Sequence, residues 1–273
     1  MKAIHLLILG VLLFTVQSCN YFKSTHPQAA LSSDEGNTGM TAQSILDFSA
    51  AADKNISNFK KEISLVFLSG DFSMYVEKYS GYNNSMLYKT YADNGNISST
   101  VKNYYFKNDS LICVKETNKV TNEEGDVYKD MRTYMRNNVA FKMDSRAASS
   151  AAALATLPYL IVQPVDNKYA EGNYADDIKG LNDAILGKDK FEMVFDNITT
   201  YPDAHYINLK SKNRSTYKAS ILVTTKDALI DSLLNTPVVF KDEKLKLNWK
   251  ITDKEAVYVP VADTTTSANG LNR

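Results

Sequence analysis

Apolar residues recur at spacings of three and four from Thr41 to about Ser69: Ile45, Leu46, Phe48, Ala52, Ile56, Phe59, Ile63, Val66 and Phe67. That period draws a stripe along one side of an α-helix, so the pattern predicts a long amphipathic helix with Gly70 as its stop. A helix of this kind needs a surface to cover. The next segments, "MLYKTYADNGNISST", "VKNYYFKNDSLICVKE" and "DMRTYMRNNVAFKMD", each run β-forming residues into a turn rich in Asn, Asp or Gly and back again. Tyr105-Phe106-Lys107-Asn108 and Tyr134-Met135-Arg136-Asn137 resemble one another, a weak internal repeat that points to an antiparallel meander beneath the helix.

Residues 147–165, "AASSAAALATLPYLIVQPV", are uncharged, but Pro158 and Pro164 break the run, and a buried helix leading into an extended segment is expected. "YADDIKGLNDAILGKD" reads as a short helix. From Phe191 the signals are strands, "FEMVFDN", "AHYINLKS", "YKASILVTT", "VVF", "KLKLNWKI" and "AVYVPVA", interrupted by a helix at "KDALIDSLL". The fold class expected is therefore α+β: an antiparallel β-meander covered by a long N-terminal amphipathic helix, followed by a second strand-rich α+β region. Along the chain, residues 41–145 are expected to form the helix and meander, 146–187 a helical connector, 188–262 the strand-rich region and 263–273 a polar, mobile tail. Two α+β units, or one continuous sheet with helices on one face, both satisfy this pattern.

The first forty residues are of another kind. Lys2 precedes an apolar run over residues 3–16, the length and polarity of a secretory signal. Val16-Gln17-Ser18-Cys19 then resembles the lipobox of bacterial lipoproteins, in which an aliphatic and a small residue precede the cysteine that is lipidated and becomes the mature N-terminus; Gln17 departs from the small residue usual in its slot. The resemblance implies a signal peptide over 1–18, a lipid on Cys19 and a membrane as partner, each buried acyl CH₂ contributing about 0.8 kcal/mol. Residues 19–40 are polar and without a period, and read as a tether. Asn20 in place of Asp, by analogy with lipoprotein sorting, points to the outer membrane. No acidic run follows it to signal surface export, so the periplasmic and surface sides stay open.

Charge and composition then remove whole classes. Lys+Arg and Asp+Glu are both 31, so no basic field draws the 273-residue chain to nucleic acid. With Cys19 acylated, Cys113 has no disulfide partner, and its alternating surroundings read as a buried hydrophobe. The three histidines, His5, His26 and His205, are scattered, which argues against histidine triads and metal sites; no cofactor is expected. "GLNDAILGKD" fails the phosphate-loop spacing. Asp176-Asp177 and Glu123-Glu124-Gly125-Asp126 read as solvated pairs, and "DNGN" at 93–96 as a type I′ turn.

Seventeen tyrosines remain. Most suit pleated, half-wet strands, but Tyr79, Tyr82, Tyr88 and Tyr91 cluster closely enough to be a candidate binding patch. Asp109-Ser110-Leu111, Asp231-Ser232-Leu233 and Asp263-Thr264-Thr265 resemble the O-glycosylation motif of secreted Bacteroidetes proteins, which marks Ser110, Ser232 and Thr264 as candidate acceptors. Every catalytic template fails, so the reading favoured is a lipid-anchored cell-envelope protein that binds a protein or glycan partner without catalysis. The alternative is a hydrolase of envelope polymers whose carboxylates assemble from distant residues.

Overall fold

The computed structural model describes residues 39–81, 85–137, 139–162 and 174–260. Cys19, Tyr82 and Thr264 lie outside the described residues, as do the signal, the tether up to residue 38 and the tail.

Among the described residues fourteen strands join one mixed sheet. β1 (Lys60–Ile63) and β2 (Phe67–Ser69) both pair with β3 (Phe72–Ser80). The chain then runs up and down through β4 (Ser85–Asn94), β5 (Ser98–Lys107), β6 (Ser110–Asn122), β7 (Gly125–Arg136) and β8 (Val139–Ala148) to the short β9 (Leu160–Ile161). A second group, β10 (Met193–Thr200), β11 (His205–Ser211) and β12 (Lys218–Val223), is also antiparallel. β12 meets β2 antiparallel and meets β14 (Glu255–Tyr258) in parallel, and β14 carries β13 (Trp249–Thr252). The contact of Phe67 with Ala219 therefore fuses the two groups into one sheet.

Local chemistry explains the hairpins. Asn108 and Asp109 take φ of 49° and 61° between the paired Lys107 and Ser110, and Asp253 and Lys254 take 51° and 65° between Thr252 and Glu255. Two left-handed residues in a two-residue loop make the turn whose twist matches the flanking strands, and Asn and Asp tolerate that conformation best. The 93–96 turn differs from expectation: Gly95 has φ 57° but Asn94, the other central residue, is not left-handed, so it is not type I′. Here the Ile97 amide closes onto the Asn94 carbonyl and a three-residue loop results.

Helices lie on both faces. α1 (Ala42–Lys54) meets one face of the meander, where the Tyr105 hydroxyl donates to Asp53 at 2.9 Å. α3 (Tyr174–Leu186) meets the other, where Tyr88 donates to Asn182 and Tyr104 to Asp177. Tyr104 and Tyr105 are neighbours in one strand, so their side chains necessarily point to opposite faces. The main core lies on the α3 side. It runs from Val76, Tyr88 and Phe106 through Phe67, Phe191 and Phe195 to Ile207 and Ile221, and is closed by Ile230 and Leu233 of α4 (Ala228–Asn235).

The expected fold class is overturned. The architecture is mainly β, with a large mixed sheet and short helices, rather than a meander beneath a long N-terminal helix. The helix expected over Thr41–Ser69 ends at Lys54, where the Asn55 amide and side chain both bond the Ala51 carbonyl. One turn of 3₁₀ helix follows, and then the chain enters β1 and β2. Phe59, Ile63, Val66 and Phe67 continued the helical spacing by coincidence; pairing with β3 outweighed the local period. Gly70, read as a helix stop, turns the β2–β3 hairpin at φ 61°. The helix expected to be buried within 147–165 is α2 (Ala151–Thr156), of which only Leu154 is buried.

Candidate functional site

The register of the meander lines up side chains in rows across its α1 face. One row runs Glu77, Lys89, Asn103, Lys115, Arg132, Asp144 from β3 to β8. A second runs Tyr79, Leu87, Tyr105, Cys113, Tyr134, Lys142, and a third Tyr75, Tyr91, Val101, Thr117, Asp130, Arg146. The carboxylates in these rows are held by cations and phenols. Glu77, buried, pairs with Lys61 at 2.5 Å and accepts from the Tyr79 and Tyr91 hydroxyls at 2.8 and 3.1 Å. Asp144 accepts from Tyr134 at 2.9 Å, and Asp130 binds Arg146 at 2.8 Å and also accepts from Thr117 and Tyr159. Burial, hydrogen bonding to Glu77 and its charge all raise the Tyr79 phenol above its usual range, which keeps it a donor.

Of the candidate patch, Tyr79, Tyr88 and Tyr91 are among the described residues, and they do not share one surface. Tyr79 and Tyr91 converge on Glu77, with Tyr75 stacked on Tyr91 at 4.5 Å. Tyr88 points to the opposite face, is 1% exposed, and has its phenol pushed up to about 12, chiefly by burial. Cys113 is buried beside Tyr105, its thiol also pushed up to about 12 by burial. Ser110 is exposed directly after the Asn108-Asp109 turn, and Ser232 is exposed on α4 with its hydroxyl donating to the Ala228 carbonyl. Of the acidic pairs, Asp126 is tied to Lys119 and Thr121 in the β6–β7 hairpin, and Asp177 receives Tyr104.

A site the sequence pattern did not single out lies at the other end of the sheet. β11 alternates strictly, with Ile207 and Leu209 facing the core and Tyr206, Asn208 and Lys210 on the outer face; β12 does the same with Ser220 and Leu222 outside. The β10–β11 loop, Tyr201-Pro202-Asp203-Ala204, closes through the Tyr201 amide and the Ala204 carbonyl and rises beside this face. Together they form an open groove of about 520 Å³. Tyr201, 56% exposed, stands edge-on to Tyr206 with ring centroids 5.8 Å apart. The floor is a ladder: the Asn208 amide donates to Asn197 and to Thr199, both at 2.8 Å, and Ser220 donates to the Asn208 carbonyl at 3.1 Å. The Glu255 charge, with burial and hydrogen bonding adding to it, raises the Tyr206 phenol. An exposed ring beside pre-oriented amides and hydroxyls can stack a flat ligand and hydrogen-bond its edge. The Tyr201–Tyr206 spacing around a Pro-Asp-Ala turn was the signal available for it.

A second, smaller cavity of about 140 Å³ lies between α3 and the 244–249 segment, lined by Phe67, Ile185, Leu245, Leu247 and Trp249. Among the described residues no helix is long and apolar enough to cross a membrane. Comparison of the chain with protein-family profiles, with curated proteins and with solved structures finds no match.

Proposed function

We propose that the protein is a lipid-anchored component of the bacterial cell envelope, held to the outer membrane through Cys19, whose sheet domain is a non-catalytic binding module for a protein or glycan partner. The observation that carries the binding reading is the β10–β11 groove, where an exposed tyrosine ring adjoins an ordered ladder of amides and hydroxyls.

The disposition of the carboxylates supports the same reading. Glu77 and Asp144, the buried acids of the α1 face, stand five strand spacings apart in one row, roughly 24 Å along the sheet at about 4.8 Å per strand. Glycoside hydrolysis needs its two carboxyl groups about 5 to 10 Å apart. Each of the two is moreover committed to a tyrosine and a lysine.

The test is co-sedimentation of the detergent-solubilised full chain with purified envelope fractions. Wild type should pellet with one of them and a Tyr201→Ala protein should stay in the supernatant; equal behaviour of the two proteins would remove the groove from the function. Anchorage is read separately, since Cys19→Ala should move the protein to the soluble fraction of lysed cells.

A further inference from the structure

The groove has a chemical bias that narrows its ligand. Its lining carries one carboxylate, Asp203, and no lysine or arginine. A second carboxylate, Glu255, stands against the Tyr206 hydroxyl. The nearest cation along the same face of β11, Lys210, is already paired with Asp242 at 2.7 Å and Asp196 at 3.4 Å. The ladder has also spent its donors internally. Both donor contacts of the Asn208 amide go to Asn197 and Thr199, and the Ser220 hydrogen goes to Asn208. What remains turned outward is mostly acceptor capacity, carbonyl and hydroxyl lone pairs with the Asp203 carboxylate among them, beside the exposed Tyr201 phenol, which can also donate.

An acceptor-rich, net negative groove repels oxyanions and suits a ligand with many hydroxyl donors. Tyr201 adds an exposed ring for an apolar C–H face. We infer that the groove binds a neutral glycan, one pyranose ring seated on Tyr201 and its hydroxyls donating to Asp203 and to the Asn208–Ser220 ladder, and that it rejects uronic-acid, sulfated and phosphorylated polymers. This rests on the binding function proposed above.

Native electrophoresis of the full chain in detergent, through gels containing one polysaccharide each, tests the inference. The neutral probes are laminarin, galactomannan and xyloglucan; the acidic ones are polygalacturonate and alginate. At least one neutral polymer should retard the protein and neither acidic polymer should. Tyr201→Ala should weaken that retardation about tenfold, the loss of one stacking face, and Tyr201→Trp should preserve it. Tyr201 lies in an exposed loop, so both variants should keep the wild-type circular dichroism. Asp203→Asn should weaken neutral binding several-fold by removing a charged acceptor. Retardation by an acidic polymer, alone or beside neutral ones, and sensitive to Tyr201→Ala, would overturn the neutral class while leaving the groove as a binding site. No retardation by any polymer would overturn the glycan assignment and leave the groove to the co-sedimentation test above, whereas retardation indifferent to Tyr201→Ala would overturn the groove as the glycan site.

Discussion

Glu77 occupies a strand position flanked by Tyr75 and Tyr79, and the two hydroxyls and one ammonium that reach it make it the hub of its surroundings. Removing a buried acceptor strands every donor that pointed at it, which costs more than the bonds themselves. Glu77→Ala should therefore destabilise the protein by about 2–4 kcal/mol, against about 1 kcal/mol for Tyr91→Phe, which leaves the hub occupied. Urea unfolding of the two variants checks the ranking, and equal losses would refute it. Cys113 offers a second test at this scale. A thiol that is fully buried and pushed up to about 12 has almost no thiolate at neutral pH, so it should resist a thiol-reactive dye in the native protein and react fully once denatured. The burial of Cys113 was legible from the alternation around it. The commitments of the tyrosines were not, because the partners lie on other elements: Asn182 for Tyr88, Asp53 for Tyr105, and Glu77, across a strand pairing, for Tyr91.

α4 shows what an element needs to start. Asp227 accepts from the Ile230 amide at its N-terminus and, with its other oxygen, from the Tyr258 hydroxyl at 2.7 Å. One side chain thereby caps the helix and fastens it to β14, while Ile230 and Leu233 fill the core beneath. Asp227→Ala should cost about 2–3 kcal/mol, summing a lost cap and a lost charged hydrogen bond, and Asp227→Asn less than half of that, since an amide oxygen still caps. Thermal unfolding of the pair measures it; equally lowered midpoints for Ala and Asn would refute the partial rescue by the amide cap, and two midpoints equal to wild type would mean that neither bond matters. This helix, with Asp before an apolar period and Pro237 after it, was readable in sequence for those physical reasons. α1 was readable only to its end at Lys54, because the residues beyond it keep a helical period while their β-forming side chains are claimed by β3. The β10–β11 groove stayed hidden for a related reason: its floor is built from three strands, and only their register places Asn197, Asn208 and Ser220 side by side.

The joining of the two strand groups is a whole-molecule property that no local pattern contains. It depends on two residue pairs between β2 and β12 and on a core in which Phe67 touches Phe191 at 4.6 Å. A shared core predicts a single cooperative unfolding transition, and the tyrosines provide a way to see it by pH. Burial is the largest cause raising the phenols of Tyr88, Tyr104, Tyr105 and Tyr134 above the ordinary value of 10, and carboxylates facing them add to the shift. A group whose pKa is higher folded than unfolded contributes its stability in full below the unfolded value and loses it as pH rises toward the folded one. The fold should accordingly be indifferent to these groups up to about pH 10 and weaken steeply above it, the Tyr88 phenol resisting ionisation to about 12. The buried phenols on both sides of the sheet should then ionise together, in step with loss of far-ultraviolet circular dichroism. Phenolate absorbance and ellipticity followed in one alkaline titration decide the matter: two separated losses of ellipticity would show that the meander and the β10–β14 group unfold independently, and that Phe67 does not couple them.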